Sequence, residues 1–184
     1  ILKRRIVFAS NGQFLIERAR GAYGLPDLNP HILMNPIPLP VYRRVEFSTK
    51  PSFIFVGRLA PQKRFWIFCE LAKRFANADF YIAGVTQFPE LINPIMKKYA
   101  DLANLKLVGM VDGQEKDRLY QNCWGLINTS VHEGLPVSFL EAFSYGKCVI
   151  SNVNPENLVS QYGYHAGDSL GDGLDSDNLN RFSE

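Results

Sequence analysis

The sequence predicts an α/β chain with a doubly wound, open parallel sheet covered by helices on both faces, and three observations predict it. Short apolar runs rich in Val, Ile, Leu and Phe recur along the chain. Segments of helical period separate those runs, as crossovers between parallel strands require. A length of 184 residues with 46% hydrophobic and 21% charged residues suits one ordinary soluble domain, or one domain plus a fragment of a neighbour.

Residues 1–45 read as the tail of a preceding unit plus a linker. ILKRRIVFAS mixes charge into an apolar part too short for a signal peptide, so IVFAS is expected as a strand. A helix over about 11–22 ends at Gly24 and Pro26, a short HILM run follows, and the proline-rich NPIPLP of 35–40 reads as linker. The absence of an initiator Met suggests that the chain starts inside a longer protein.

The main domain is expected over 46–184, where buried strands fall at SFIFVG (52–57), DFYIAGV (79–85), LKLVG (105–109), GLINTS (125–130) and KCVISN (147–152). Helices are expected at 61–76, 89–103, 115–123, 137–145 and 155–162. Asp112 with Glu115 resembles a capping box, and Asn154 before Pro155 an N-cap with proline at the first helical position. Pro94 should kink or split its segment. The chain ends on a loop-like GDSLGDGLDSDNLN as a last helix begins.

Composition excludes several functions. No apolar run approaches the roughly 18 residues of a membrane-spanning helix. A net charge of +2 lacks the dense basic face of a nucleic-acid binder, though an anionic small molecule suits it. Cys69, Cys123 and Cys148 lack metal-ligand spacing and are expected to be buried, reduced thiols, which fits the cytoplasm. There is neither a GxxxxGK[ST] loop nor a GxGxxG turn between strand and helix, which argues against a phosphate-loop ATPase or a dinucleotide dehydrogenase.

In a doubly wound sheet, ligands bind beyond the carboxyl ends of the strands, and two stretches sit there. In VGRLAPQK (56–63), Arg58 leaves a strand and Lys63 stands near the next helix start. Arg as a planar fork and Lys as a point charge suit a diphosphate, although a lone pair of cations is ordinarily solvated surface. In SVHEGLPVSFLE (130–141), Glu133 ends a loop and Pro136 suits the first turn of the helix bearing Glu141. The backbone N–H groups around the stretch from Gly134 to Val137, which runs through Leu135 and Pro136, would be free to meet an anion. Glu141 is placed to accept hydrogen bonds from vicinal hydroxyls such as those of a ribose, and Glu133 would reach the other side of the phosphates. A carboxylate beside a diphosphate repels it unless cations intervene, which joins Arg58 and Lys63 to the same site. On one helix the two acids would lie about 12 Å apart, too far for the carboxylate pair of a glycoside hydrolase.

These stretches resemble the G-R-x-x-x-x-K and E-x7-E elements of the retaining glycosyltransferases of the GT-B fold, family 4. NPI, LVGMV and LEAFSYGKCVIS resemble further landmarks of that family in its order, over roughly 35–165. The resemblance implies a Rossmann-like nucleotide-sugar-binding domain, the C-terminal half of a two-domain enzyme. It implies that Arg58 and Lys63 hold the donor's diphosphate, Glu141 the ribose, and Glu133 the donor sugar, while Gly109, Met110 and Val111 lie against the base through their backbone. Glu133, Arg58 and Lys63 would then be the catalytic set.

The implied reaction moves a sugar from a UDP- or GDP-sugar to an acceptor hydroxyl with retention, with no cofactor and no essential metal. It would serve polysaccharide, lipopolysaccharide or glycolipid synthesis. A saccharide or lipid-linked acceptor would bind a missing N-terminal domain, without which this chain is expected to be inactive. The full-length protein would be cytoplasmic, with peripheral association at the inner face of a membrane. VNPENL departs from the glycine-rich turn common in the family after CVISN, and Cys148 stands where proline is common. Two other readings keep the cleft: a nucleotide-binding module without transfer activity, and a sugar-nucleotide epimerase.

The remaining signals are bland. His132 reads as a loop histidine, and His31 and His165 have no partners in sequence. Asp175-Ser176-Asp177 reads as helix capping rather than a metal-binding triplet, although Asp168 and Asp172 are near. Phe65, Phe68 and Phe75, at helical spacings, read as core.

Overall fold

The computed structural model describes residues 6–40 and 47–183. In chain order its elements are β1 (Ala9–Ser10), α1 (Phe14–Tyr23), β2 (His31–Ile32), β3 (Ser52–Val56), α2 (Phe65–Arg74), β4 (Asp79–Ala83), α3 (Pro89–Lys97) and β5 (Leu105–Gly109). There follow α4 (Gly113–Asn122), β6 (Gly125–Asn128), α5 (Val137–Ser144), β7 (Cys148–Ser151), α6 (Leu158–Tyr162), β8 (Tyr164–His165) and α7 (Ser176–Arg181). Short 3-10 turns at Pro61–Lys63 and Pro155–Asn157 precede α2 and α6.

One six-stranded sheet runs β5-β4-β3-β6-β7-β8, and every neighbouring pair is parallel. Alternation along β3 divides its side chains between two cores. Phe53 and Phe55 join the cluster of α2, α3 and α7, whereas Ile54 and Val56 join that of α4, α5 and α6. The chain moves from β3 outward to β5, then returns to lay β6 on the other side of β3. Connections leaving β3 and β6 therefore depart to opposite faces, which opens a crevice at their carboxyl ends.

The expected strands and helices are present, with corrections at their ends. Within IVFAS only Ala9–Ser10 is strand, pairing in parallel with β2. β8 was not anticipated, because two residues carry no periodic signal. α3 runs across Pro94 and ends at Lys97; only the Glu90 carbonyl loses its intrahelical partner, and both residues are open to water. Asp112 is the N-cap of α4, but its side chain makes no capping bond, so the capping box is not formed. Asn154 accepts from the Val159 and Ser160 N–H groups, capping α6 across the 3-10 turn. Asp175 accepts from Asn178 N–H at 2.8 Å and caps α7. Cys69 and Cys123 are buried, but Cys148, expected to be buried, is exposed at the first position of β7. Phe65 and Phe68 are wholly buried, with Phe75 packed beside them.

The expected linker boundary near 45–46 falls at 41–46, outside the described residues. The segment before it is docked on the larger sheet's loops. Phe14 N–H donates to Glu156 Oε1 at 3.2 Å, and Asn35 Nδ2 to the Leu135 carbonyl at 3.1 Å. Glu156, held in the left-handed region (φ +52°), thus turns the VNPENL loop toward the start of α1. Among the described residues no helix is long and apolar enough to cross a membrane.

Candidate nucleotide-sugar site

The exits of β3, β4 and β5 are drawn together by backbone. Gly57 N–H donates to Ala83 O and Gly84 N–H to Gly109 O, at 3.0 and 2.7 Å. Only glycine permits this at 84, where a Cβ would stand 1.8 Å from the Gly57 carbonyl oxygen. Arg58 then projects from the rim, exposed and without a partner among the described residues. Met110 is 79% exposed and Val111 half-buried beside it, whereas the Gly109 carbonyl is already used by Gly84.

The exits of β3 and β6 are stitched across the crevice. Val131 N–H donates to Gln62 O at 3.0 Å, and Gln62 Nε2 to His132 O at 3.1 Å. Thr129 Oγ1 reaches the Lys63 and Arg64 carbonyls at 2.7 and 3.0 Å. This fixes the Lys63 backbone opposite the loop of Glu133, and their side chains meet with Nζ 2.5 Å from Oε1. Ser130 Oγ and Asn128 Nδ2 donate to the same Oε1, at 2.6 and 3.3 Å. Oε2 is left with no donor among the described residues.

Pro136 is the N-cap of α5, and its carbonyl accepts from Phe139 and Leu140, so the first-turn N–H groups of Val137 and Ser138 remain for a ligand. Gly134 is half-buried against Asn11 and Leu15. The Leu135 side chain is buried and its carbonyl is held by Asn35, so it can offer a ligand only its N–H. Glu141 lies one turn into α5, where Lys116 Nζ stands 2.5 Å from Oε1 and the Tyr120 hydroxyl donates to Oε2 at 3.0 Å. Burial first, then the charge of Glu141, drives the Tyr120 pKa well above the ordinary phenol value and keeps it a donor.

The structure thus brings Lys63 onto Glu133 and sets Glu141 on α5 just after that loop, with Arg58 at the adjoining rim. It does not pair either sequence-predicted cation with Glu141, whose cation is Lys116. Beside Glu133 a cavity of about 420 Å³ is lined by Phe14, Arg18, His132, Asn154, Asp168 and Leu170. His132 is exposed in that wall, as a loop histidine.

The family described as glycosyl transferases group 1 matches residues 43–160, more than half of the chain. The chain belongs to that family. It is 34% identical over 119 residues to the UDP-Gal:alpha-D-GlcNAc-diphosphoundecaprenol alpha-1,3-galactosyltransferase of Escherichia coli, covering 59% of this chain and 30% of that protein. It is 30% identical over 118 residues to an uncharacterized glycosyltransferase of Methanocaldococcus jannaschii, covering 61% of this chain and 29% of that protein. The match thus spans about 30% of these curated relatives' length. The pneumococcal O-GlcNAc transferase GtfA, solved with UDP and GlcNAc, superposes with a TM-score of 0.70 at 20% identity over 96% of this chain and 37% of that one. The fold is that of the Rossmann-like C-terminal domain of GT-B glycosyltransferases.

Sequence reasoning missed two basic residues of this member of the glycosyl transferases group 1 family. Arg64, wholly buried in a left-handed conformation (φ +44°), donates to Thr129 O, Ser130 O, Ser169 O and Asn152 Oδ1. Burial lowers its pKa, and nearby Asp172 and Asp175 oppose that. Lys116 is the other. Both partner sets lie far away in sequence, so no local spacing marks them; only the amphipathic phase of α4 placed Lys116 and Tyr120 on one side.

Proposed function

We propose that the chain is the donor-binding domain of a retaining glycosyltransferase of family 4, moving a hexosyl group from a UDP- or GDP-sugar to an acceptor hydroxyl. The observation that carries this reading is the Lys63–Glu133 pair on the β3–β6 crevice, with Arg58 exposed at its rim and unpaired among the described residues. In this reading the diphosphate lies over the crevice, against Lys63, Arg58 and the first-turn N–H groups of α5. As the bond from anomeric carbon to phosphate oxygen breaks, charge builds on that oxygen beside fixed cations and dipoles. The acceptor oxygen forms the new bond to the anomeric carbon, and its proton passes to the departing phosphate oxygen, so the products are the glycoside and the nucleoside diphosphate. Glu133, held through Oε1, presents Oε2 to hydroxyls of the sugar in the adjoining cavity. Contact with the base falls to the main chain of Met110 and Val111.

The proposed reaction uses no metal or cofactor, and the chain binds no nucleic acid. A saccharide or lipid-linked acceptor is held by another part of the full-length protein, at the cytoplasmic face of a membrane, in polysaccharide, lipopolysaccharide or glycolipid synthesis. Support comes from the Escherichia coli relative, whose name specifies a UDP-sugar and a lipid diphosphate. Calorimetry with UDP and with GDP tests the reading. One of them binds at roughly micromolar strength, and Arg58→Ala and Glu141→Ala each weaken it about tenfold; binding of neither by the unaltered protein overturns it.

A further inference from the structure

The acid one turn into α5 is held by a frame that its own helix does not supply. Lys116 and Tyr120, one turn apart on α4, each donate to a different oxygen of Glu141. Tyr120 stacks on Tyr145 of the α5 C-terminus with centroids 5.5 Å apart and planes 7° apart, and the Tyr145 hydroxyl returns to Asp117 Oδ1 at 2.6 Å. Two residues of α4 thus hold the two oxygens of one carboxylate, and Tyr145 braces the ring of one of them. An ionised carboxylate accepts at about four lone-pair positions, and one donor on each oxygen leaves each oxygen one more. That remainder, one acceptor position per oxygen, matches two neighbouring hydroxyls.

Glu141 stands four residues, about 6 Å, along the helix from the N–H groups of Val137, the reach from a phosphate to the far edge of its ribose. Lys116 occupies the first turn of α4, directly after the 109–111 stretch. It is 29% exposed, whereas the Glu141 side chain is 10% exposed, so the carboxylate is narrowly accessible and its cation adjoins that opening.

We infer that Lys116 is a positioning residue for nucleotide recognition, holding Glu141 so that its two remaining acceptor positions read the ribose diol and separate ribonucleotides from 2′-deoxyribonucleotides. The inference rests on the donor-binding reading above.

The test is calorimetry on the full-length protein with UDP against 2′-deoxy-UDP, and GDP against 2′-deoxy-GDP. The unaltered protein should prefer the ribonucleotide about tenfold, and Lys116→Met should bring that preference to about twofold or less while the deoxynucleotide binds nearly as before. Tyr120→Phe should act in the same direction, Lys116→Arg should restore most of the preference, and Glu141→Gln should abolish it. Thermal midpoints of all variants establish that they are folded, with Lys116→Arg as the reference for Lys116→Met. A loss equal for ribo- and deoxynucleotide makes Lys116 a phosphate cation and overturns the inference, as does an unchanged preference. Binding of neither nucleotide by the unaltered protein overturns the donor reading itself and this inference with it.

Discussion

Arg64 separates what a residue type suggests from what its place dictates. Charged side chains are rarely buried without partners, because removing an ion from water costs several kcal/mol. Here the guanidinium spans the ends of β6 and β7 and the loop at 169–171, so its donors are spent on carbonyls that the sheet cannot satisfy. It also follows Lys63 directly, and Thr129 binds both their carbonyls, so the same contacts hold the Lys63 backbone toward Glu133. Arg64→Met should therefore cost about 3–5 kcal/mol in urea unfolding, by leaving buried acceptors unpaired, and Arg64→Lys nearly as much because one ammonium cannot span the set. A loss below about 1 kcal/mol in both, the level of a surface charge, would show that the buried frame carries no such load.

At the level of elements, the inner strands of the large sheet were legible because burial on both faces writes them as continuous apolar runs, whereas β5, expected to be buried, lies at the sheet edge half-buried to exposed and β8 at the other edge was missed. β3 to β7 stand where those runs stand: β3, β4 and β6 end earlier than expected, β7 loses a residue at each end, and β5 matches its run. Helix ends were less legible, since Asp112 had the residue type of a cap but not its bond, and Pro94 did not break α3. In the site, Lys63, Glu133, Glu141 and the start of α5 could be read because each lies on the connection that leaves β3 or β6, within two short stretches of sequence. Lys116 and Arg64 could not, because their roles depend on which helix faces which across the fold. The docking of α1 was equally hidden, as it rests on Glu156 and Asn35, two polar residues in loops. Glu156→Ala with Asn35→Ala removes both of these hydrogen bonds, at about 1 kcal/mol each. Amide exchange over 14–23 should then rise several-fold while β3–β7 remain protected; unchanged exchange over α1 would mean that apolar contacts such as those of buried Ile16 hold it.

For the whole molecule, the two cores on either side of the sheet each contain one buried thiol, Cys69 with α2 and Cys123 after α4. Burial pushes both thiols up to about 12 from an ordinary 9.0, because a thiolate in either layer would lack solvation. A folded-state pKa raised in this way means that the native state keeps its protons where the unfolded chain has begun to lose them. The associated stability is complete below pH 9 and is lost as pH rises toward 12. Each thiol contributes a slope approaching about 1.4 kcal/mol per pH unit inside that window. Buried Tyr120 and Tyr99 are raised for the same reason and add the same sign at higher pH, so the interval just above pH 9 isolates the thiols. Urea midpoints measured from pH 8 to pH 9.5 should fall, and the fall should be shallower in Cys69→Ala and in Cys123→Ala, each relative to its own value at pH 8. Exposed Cys148 should react with a thiol reagent in the native protein, while Cys69 and Cys123 react only on unfolding. If Cys69 reacted natively and Cys123 did not, the α2 layer would be opening independently of the other, and the sheet would not couple its two faces into one cooperative unit.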